Sequence, residues 1–324
     1  MKQVTVGLVG TGYAARLRAE TLAKDGRSRL VAATGHSPSK SQEFSQTFEV
    51  PLESSWQALV QRSDVDLVMV CTINRDHGAI AQAALEAGKH VVVEYPLALT
   101  VAEAEFLLTL ATRQQKLLHI EHIELLSGIH QTLRDALPAI GTPFYVRYSN
   151  LNPQHPAPDK WTYHPELFGF PFIGALSRLH RMTDLFGAVK TVSCQARFWG
   201  QSGLPSPYTT CLCSAQLRFA SGLVGEVIYG KGEALWQTER SFVVQGEKGA
   251  IALEGEQGNL IQGEQVTPLE VGSRRGLFAR DTTEVLDHLL MGTPLYVDPQ
   301  SSVYALQVAE AAQRSAETGE TIIL

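Results

Sequence analysis

Two short stretches of the chain contain residues whose types and spacing suit redox chemistry with a nucleotide cofactor. The first is Gly10-Thr11-Gly12-Tyr13-Ala14-Ala15, a G-x-G-x-x-A pattern that follows the β-branched run VTVGLVG. The first glycine permits a tight turn, the second lets the backbone approach a pyrophosphate, and the small third residue lets a helix pack closely on the strand. The pattern therefore predicts a dinucleotide site formed by Gly10, Thr11, Gly12, Tyr13 and Ala14.

The second stretch is HVVVEYPLAL (90–99), an apolar strand that ends in Glu94, Tyr95 and Pro96. The carboxyl ends of parallel strands form the edge at which open α/β sheets bind ligands. We therefore expect Glu94 and Tyr95 at the face of the cofactor where the reaction occurs.

Both stretches belong to a series of strands and helices in the first part of the chain. Apolar runs predict strands at 4–10, 29–35, 64–72, 90–95 and 116–122, and helical patterns separate them. Strands that alternate with helices, and that are apolar along nearly their whole length, indicate a parallel, doubly wound sheet. We predict an α/β Rossmann domain over residues 1–122.

The second part of the chain has a different pattern. Two helical stretches and several strand-like runs with glycine-marked turns follow residue 122, among them GTPFYVRYSNL and GLVGEVIYG. Alternating strands joined by such turns predict an antiparallel sheet. We predict an α+β domain with a large, open, mostly antiparallel sheet over residues 123–324.

The end of the second strand indicates which dinucleotide binds. An NAD site usually has an acidic residue there, for the ribose 2′-hydroxyl, but here the first acid is Glu43. Ser37, Ser39 and Lys40 would instead donate hydrogen bonds to a 2′-phosphate, which favours NADPH and leaves NADH as the weaker possibility. The same residues also suit a helix start, with Ser37 as the cap and Pro38 in the first position.

Composition narrows the remaining functions. A net charge of −6 argues against a nucleic-acid partner, because phosphate backbones require a positive surface. No apolar run is long enough for a membrane span, so we expect no membrane partner. Four cysteines without a C-x-x-C pair or a metal spacing indicate reduced thiols in a cytoplasmic protein, and no metal site.

The chain resembles the glucose–fructose oxidoreductase and inositol dehydrogenase family. It shares the glycine pattern, the block DVDLVMVCTINRDHGAIAQAALEAGKHVVVEYPL and the open-sheet second domain. In that family a P-x-x-x-H segment after the third strand lines the cofactor. Here residues 73–77 read INRDH, without the proline, and the resemblance implies that Asn74 and His77 contact the cofactor.

The chain departs from that family where an alcohol dehydrogenase has its proton-handling groups. The family's fourth strand ends in Glu-Lys-Pro, and Tyr95 stands in the place of the lysine. In a later helix Arg181 stands in the place of a catalytic histidine and Ser177 in that of an aspartate, although a shift of one residue would bring in His180. Oxidation of an alcohol needs a base for the hydroxyl proton, and the usual one is missing.

Within the family, Val-Glu-Tyr-Pro together with EHIELL (121–126) is similar to the biliverdin reductase branch. The resemblance implies that NADPH reduces biliverdin to bilirubin, by hydride transfer to the central methine bridge and protonation of a pyrrole nitrogen. That reaction releases no hydroxyl proton. It needs a flat apolar surface, a proton source near the nitrogens, and cations for two propionates.

We assign the residues on this basis. The catalytic candidates are Arg181, Tyr95 and Glu94, and Glu94 also belongs to the cofactor site. The substrate-binding candidates are Glu121, Glu124, Lys160, Trp161 and Arg178. Further cations for the propionates are Arg197, Arg274, Arg275 and Arg280.

Two alternatives remain. One is an NADP-dependent sugar or polyol dehydrogenase that uses His180 or Glu94 as its base. The other is a non-catalytic NADPH-binding sensor.

Overall fold

The computed structural model describes residues 3–200 and 206–324. The chain forms two compact units. The first comprises Met1–Ile123 and Arg275–Val303, and the second comprises Glu124–Arg274 and Tyr304–Leu324. The break after Ile123 lies beside the predicted boundary, but we expected residues 275–303 in the second domain and the structure packs them with the first.

The first unit is built from alternating strands and helices. In chain order these are β1 (Val4–Val9), α1 (Tyr13–Lys24), β2 (Ser28–Thr34), α2 (Pro38–Phe48), α3 (Trp56–Val60), β3 (Leu67–Val70), α4 (Asn74–Glu86), β4 (His90–Glu94), α5 (Val101–Gln114) and β5 (Leu118–Glu121). All five strands are parallel, in the order β2-β1-β3-β4-β5. The strand order reverses direction between β1 and β3, and ligands bind outside the carboxyl ends of the strands at such a point.

The second unit combines short helices with a large sheet. Its elements begin with α6 (Ile123–Leu126), α7 (Gly128–Ala136), a 3₁₀ turn (Leu137–Ile140), β6 (Pro143–Pro153), a 3₁₀ turn (Trp161–Tyr163), α8 (Pro165–Phe168), α9 (Pro171–Gly174) and α10 (Ser177–Phe186). The strands that follow are β7 (Val189–Trp199), β8 (Thr210–Phe219), β9 (Val224–Gly232), β10 (Glu239–Gly246), β11 (Gly249–Glu254), β12 (Gln257–Gln262) and β13 (Gln265–Leu269).

The chain ends with α11 (Leu277–Met291), α12 (Pro299–Thr318) and β14 (Ile322–Ile323). The nine strands of the second sheet lie in the order β13-β12-β11-β10-β6-β9-β8-β7-β14. Its pairs are antiparallel except for β6 with β9. The predicted fold class, a parallel Rossmann sheet followed by an α+β domain with a mostly antiparallel sheet, is confirmed.

The apolar composition of the strands explains the first unit's core. The four residues of β3 are at most 1% exposed, and so are the valines of β4, as expected for strands with helices on both faces. None of the helices in the described ranges is long and apolar enough to cross a membrane. The described residues also contain no group of three or more His, Cys, Asp or Glu side chains placed to hold a metal ion.

Candidate active site

The glycine pattern forms a ledge between β1 and α1. Gly10 has φ of +121°, and a Cβ at this position would lie 2.1 Å from the carbonyl oxygen of Cys71. Gly12 caps α1 without a side chain, and a Cβ there would meet nothing within 4 Å. Because the first N–H groups of a helix have no partners within the helix, this open helix start fits a pyrophosphate.

The other residues of the ledge behave differently from one another. Thr11 is buried, whereas Tyr13 is 76% exposed and meets the edge of Phe278 with ring centroids 6.2 Å apart. Ala14 is half-buried, and Ala15 is fully buried, which lets α1 pack closely on the sheet. The predicted cofactor residues Gly10, Thr11, Gly12, Tyr13 and Ala14 therefore lie together.

Polar side chains surround the start of α2, where a 2′-phosphate is expected. The Ser37 and Ser39 hydroxyls are 3.3 Å apart, and Lys40 is exposed. Glu43, the first acid after β2, is 2.8 Å from Arg16. Because that carboxylate is already paired with a cation, it opposes an incoming phosphate less than a free acid would.

One acidic residue near the start of α2 was not predicted from the sequence. Asp76, in the first turn of α4, lies 3.4 Å from the His36 imidazole and 3.0 Å from the Arg75 guanidinium. It comes from a different strand–helix connection, so no spacing along the chain reveals it. Two basic groups accompany this carboxylate.

Asn74 and His77 begin α4 and are both buried. The His77 Nδ1 is 2.7 Å from the Pro96 oxygen, and its Nε2 is 3.2 Å from the Thr72 oxygen. Burial lowers the pKa of His77 below its ordinary value, so the ring is neutral near pH 7. His77 therefore braces two loops at the sheet edge, and its predicted contact with the cofactor stays a prediction.

Glu94 ends β4 and is held by a buried ionic network. The Arg18 Nε is 2.7 Å from Glu94, and the Arg18 Nη1 is 2.8 Å from Asp281. Asp281 also lies 2.8 Å from His119 Nε2 and accepts a hydrogen bond of 2.7 Å from Tyr296. Burial acts to raise the pKa of Asp281, but Arg18 and His119 outweigh it and hold the pKa well below its ordinary range.

Glu121 lies beside Glu94, because the two are register partners in β4 and β5. It is only 1% exposed, and its carboxyl accepts a 2.5 Å hydrogen bond from the Ile123 N–H. Burial, reinforced by the charges of Glu94 and Asp281, raises the pKa of Glu121 well above its ordinary value. The raised pKa favours the protonated form of Glu121, and its predicted contact with substrate stays a prediction.

Tyr95 follows Glu94 and is half-buried. Its ring stacks on the His122 imidazole, with centroids 5.4 Å apart and planes 8° from parallel. His122 is in turn fixed. Its ring Nε2 is 2.7 Å from the Ser302 hydroxyl, and its backbone N–H donates to the Tyr296 hydroxyl oxygen at 3.0 Å. The phenol is thus held as a flat, oriented surface.

Arg181, on α10, is only 2% exposed. Its Nη2 donates to the Glu124 carboxylate at 2.9 Å and to the Ser127 hydroxyl at 3.2 Å. The guanidinium carbon lies 5.6 Å from the centre of the Tyr148 ring. Its Nε is buried and has no hydrogen-bond partner within the described residues.

Arg181 lines a cavity in the second unit that holds an excess of cations. The cavity volume is about 80 Å³, and its charged residues are Arg181, Arg240, Arg274, Glu124 and Glu256. Its remaining walls include Ile129, Tyr148, Phe242 and Leu253. An apolar wall with three guanidinium groups suits an anionic group carried on a larger apolar molecule.

The register of α10 favours the assignment of Arg181 over that of His180. His180 is 1% exposed, it does not line the arginine-containing cavity, and burial lowers its pKa to about 4. Asp184, on the same helix, contacts His130 at 2.8 Å and Arg134 at 2.6 Å. The partner of Arg181 is Glu124.

The other predicted substrate residues lie elsewhere in the second unit. Lys160 is exposed, and the Trp161 ring packs 5.8 Å from Phe168. The Arg178 guanidinium lies over the Tyr229 ring at 5.0 Å. Since none of the three lines the cavity around Arg181, their contact with substrate stays a prediction.

Lys231 was not predicted from the sequence, and the structure buries it in the second unit. Its ammonium donates to the Thr162 oxygen and lies 4.1 Å from the Phe168 ring and 4.6 Å from the Tyr163 ring. Burial lowers the pKa of Lys231 to about 8. The side chain ties the segment around Thr162 to β9, which makes it a brace for that segment.

Of the four further arginines considered for propionates, Arg274 is the one that lines the cavity. Arg197 lies over the Trp199 ring at 4.7 Å. Arg280 lies in α11 and pairs with Glu284 at 2.9 Å. Arg275 begins the segment that packs with the first unit.

Comparisons with known proteins identify the family of the chain and similar solved structures. Residues 4–122 match an oxidoreductase family with an NAD-binding Rossmann fold, and residues 138–324 match the C-terminal alpha/beta domain of an oxidoreductase family. A crystal structure of biliverdin reductase from Synechocystis sp. PCC 6803, in complex with biliverdin and NADP+, is 53% identical. The similarity covers 97% of this chain and 99% of that one, with a TM-score of 0.95.

Two curated relatives match over shorter stretches. Biliverdin reductase A from Mus musculus is 30% identical over 189 residues, which are 58% of this chain and 60% of the relative. Biliverdin reductase A from Homo sapiens is 33% identical over 139 residues, 43% of this chain and 44% of the relative. The resemblance predicted from the EYP and EHIELL motifs is confirmed.

Proposed function

The chain belongs to the oxidoreductase family that combines an NAD-binding Rossmann fold with a C-terminal alpha/beta domain, and we propose that it reduces biliverdin to bilirubin with NADPH. The observation that carries this proposal is the arginine-rich cavity around Arg181. In the alcohol dehydrogenases of the family, a catalytic histidine is expected in the place of Arg181. The 53% identity to a biliverdin reductase over nearly the whole chain supports it.

The first unit has the groups needed to hold the cofactor. The open ledge at Gly12 accepts the pyrophosphate, and Ser37, Ser39 and Lys40 would donate to the 2′-phosphate. When bound, NADPH supplies the hydride. The Arg18 network fixes Glu94 at the carboxyl edge of the sheet, which restricts the positions that a nicotinamide amide group can take there.

The second unit has the groups needed to hold the pigment's acidic arms. The cavity is small, about 80 Å³, which suits a carboxylate-sized group of the pigment. Biliverdin carries a propionate on each of its two central pyrroles. We propose that one propionate enters this cavity, which would leave the conjugated rings outside it.

Arg181 has a second role in this proposal. Hydride addition to the central methine carbon places negative charge on the conjugated system until a pyrrole nitrogen takes up a proton. Arg181 would act on that charge from the base of the cavity, across the bound propionate arm, because a fixed and desolvated cation is little screened by solvent. The guanidinium is too weak an acid to be the proton source itself, so we propose that Arg181 stabilises the charge and that solvent supplies the proton.

The structure argues against oxidation of a sugar or polyol. That reaction needs a base near neutral pH, and the two candidates are poorly suited. His180 is buried away from the cavity, and Glu94 is tied to Arg18 at 2.7 Å.

A colour assay tests the proposal. Purified protein mixed with NADPH and biliverdin should turn the pigment from blue-green to yellow, and heat-inactivated protein should not. Parallel reactions with NADP+ and a panel of sugars and polyols should form no NADPH. Absence of pigment conversion between mildly acidic and neutral pH, or rapid NADPH formation from a polyol, would refute the assignment.

A further inference from the structure

Glu124 bridges two arginines of very different exposure. One of its carboxylate oxygens is 2.9 Å from Arg181 Nη2, and the other contacts Arg274 Nη2. Arg181 is 2% exposed at its side chain, whereas Arg274 is 47% exposed. One carboxylate therefore neutralises an arginine at the base of the cavity and another at its rim.

The cavity contains more positive than negative groups. Besides the bridged pair, it is lined by Arg240, which is exposed and has no hydrogen bond or ion pair at its guanidinium among the described residues. Burial acts to raise the pKa of Glu124, but Arg181 and Arg274 outweigh it and lower the pKa below its ordinary value. Glu124 is therefore an anion throughout the neutral range, at a site that otherwise attracts anions.

The energetics of such a site favour exchange of one anion for another. An unpaired charge at the position of Arg181 would be costly, because a buried ion without a partner loses its hydration. The Glu124 carboxylate removes that cost in the free protein. Glu124 keeps its pair with Arg181 when an incoming carboxylate takes its place at the exposed Arg274, so the exchange leaves neither arginine without an anion.

We propose that Glu124 is an internal substitute for a substrate carboxylate, and that a pigment propionate displaces it from Arg274 when substrate binds. This proposal rests on the proposed function, since it takes biliverdin as the ligand. Arg240 anchors acid groups without competition, whereas Arg274 becomes available only as Glu124 moves away. On product release Glu124 returns to Arg274 and displaces the propionate of bilirubin.

Two consequences follow from the competition. The protein distinguishes the free acid of the pigment from its dimethyl ester, because only the acid replaces the charge of Glu124. Removal of the Glu124 charge strengthens binding of substrate and product alike, so the KM for biliverdin and kcat both fall. A purely structural role for Glu124 predicts the opposite for KM, since a loosened cavity binds every form of the pigment less tightly.

The experiment compares Glu124→Gln with a matched control, Glu239→Gln. Glu239 also pairs with an arginine of the second unit, Arg147 at 3.2 Å, and does not line the cavity. Dissociation constants for biliverdin and for its dimethyl ester are measured by the absorbance change of the pigment, and kcat and KM by its reduction. Thermal unfolding of each variant reports whether it is folded.

We expect Glu124→Gln to bind biliverdin about tenfold more tightly than wild type, as for the loss of one competing charge-assisted contact. The dissociation constant for the ester should be unchanged, and kcat should fall. Glu239→Gln should retain the wild-type ratio of acid to ester affinity. An unchanged ratio in Glu124→Gln, or weaker binding of both acid and ester, would overturn the proposal.

A second variant keeps the test decisive if Glu124→Gln does not fold. Arg274→Gln leaves the Arg181–Glu124 pair in place and should weaken binding of biliverdin by about tenfold while leaving the ester unaffected. Equal affinity of Arg274→Gln and wild type for biliverdin would overturn the exchange. Failure of the proposed function looks different, because wild-type protein would then reduce neither the acid nor the ester.

Discussion

Each unit of the protein buries an arginine, Arg18 in the first and Arg181 in the second. Arg18 meets two carboxylates from its own unit, Glu94 and Asp281, and Asp281 has further hydrogen bonds within that unit. Among the described residues, Arg181 meets a single carboxylate, and an exposed arginine shares it. The site around Arg18 is buried and rich in acidic residues. The site around Arg181 opens into a cavity and has an excess of cations.

This difference separates a scaffold from a ligand site. Carboxylates surround Arg18, so another anion would be repelled there, and the charges act only on the side chains that they position. Around Arg181 the excess of cations leaves a place for an anion from outside. Substitutions in the first arrangement should therefore change stability, whereas those in the second should change ligand binding and rate.

The largest effect is expected from Arg18→Met. Removal of this guanidinium leaves two carboxylates buried without their cation, which should lower the free energy of unfolding by about 3–5 kcal/mol. Urea unfolding followed by circular dichroism measures the change. Arg16→Met, which removes a largely exposed pair with Glu43, should cost about 0–1 kcal/mol. Equal stability of the two variants would contradict a structural role for the Arg18 network, and with it the distinction between scaffold and ligand site.

Arg181→Lys tests the other side of the comparison. Lysine keeps the positive charge but loses the planar guanidinium, whose Nη2 donates to Glu124 and Ser127 and whose Nη1 donates to Tyr148, so kcat for biliverdin reduction should fall about a hundredfold. Single-turnover measurements at saturating NADPH give the rate. The control is Arg134→Lys, at an exposed arginine that pairs with Asp184 and should keep the wild-type kcat. Wild-type kcat in Arg181→Lys would contradict a catalytic role.

Glu121→Gln sharpens the account of the first unit through pH. Because the pKa of Glu121 is raised in the folded protein, its contribution to stability is complete below the ordinary pKa of about 4.3 and is lost as pH rises toward the folded value. Glutamine removes that loss. The stability advantage of the variant should therefore grow as pH rises above about 4.3, by at most about 1.4 kcal/mol for each pH unit. An advantage independent of pH would show that Glu121 is not held neutral.

The smallest effect concerns the cofactor. Lys40→Glu should raise the KM for NADPH about tenfold and leave the KM for NADH nearly unchanged, because the new carboxylate repels the 2′-phosphate. Lys24→Glu, at the far end of α1, makes the same charge change and should alter neither value. Equal effects of Lys40→Glu on both cofactors would place the 2′-phosphate elsewhere.

Much of the fold could be predicted from the sequence, because local patterns determine it. The valine-rich runs that became β1, β3 and β4 are apolar on both faces, and glycines mark the turn after β1. The helix Leu277–Met291 was missed, since it follows a loop and carries polar residues on its outer face. The short helix Trp56–Val60 has too few residues to show a period.

The partners within the site could not be predicted in the same way. Arg18 lies among Ala15, Ala19 and Leu22 on the buried face of α1, and that position signals a buried arginine. Its partner Asp281 is 263 residues away along the chain, a distance over which spacing carries no information. The choice of Glu124 over Asp184 as the partner of Arg181 likewise depends on how helices pack.

The fate of the transferred hydrogen tests the central claim most directly. The protein is incubated with biliverdin and NADPH deuterated at the transferable position of nicotinamide C4, and the product is examined by NMR and mass spectrometry. We expect bilirubin with one deuterium on the carbon between the two central pyrroles. A product without deuterium at that carbon, or unreacted pigment beside intact NADPH, would contradict the assignment.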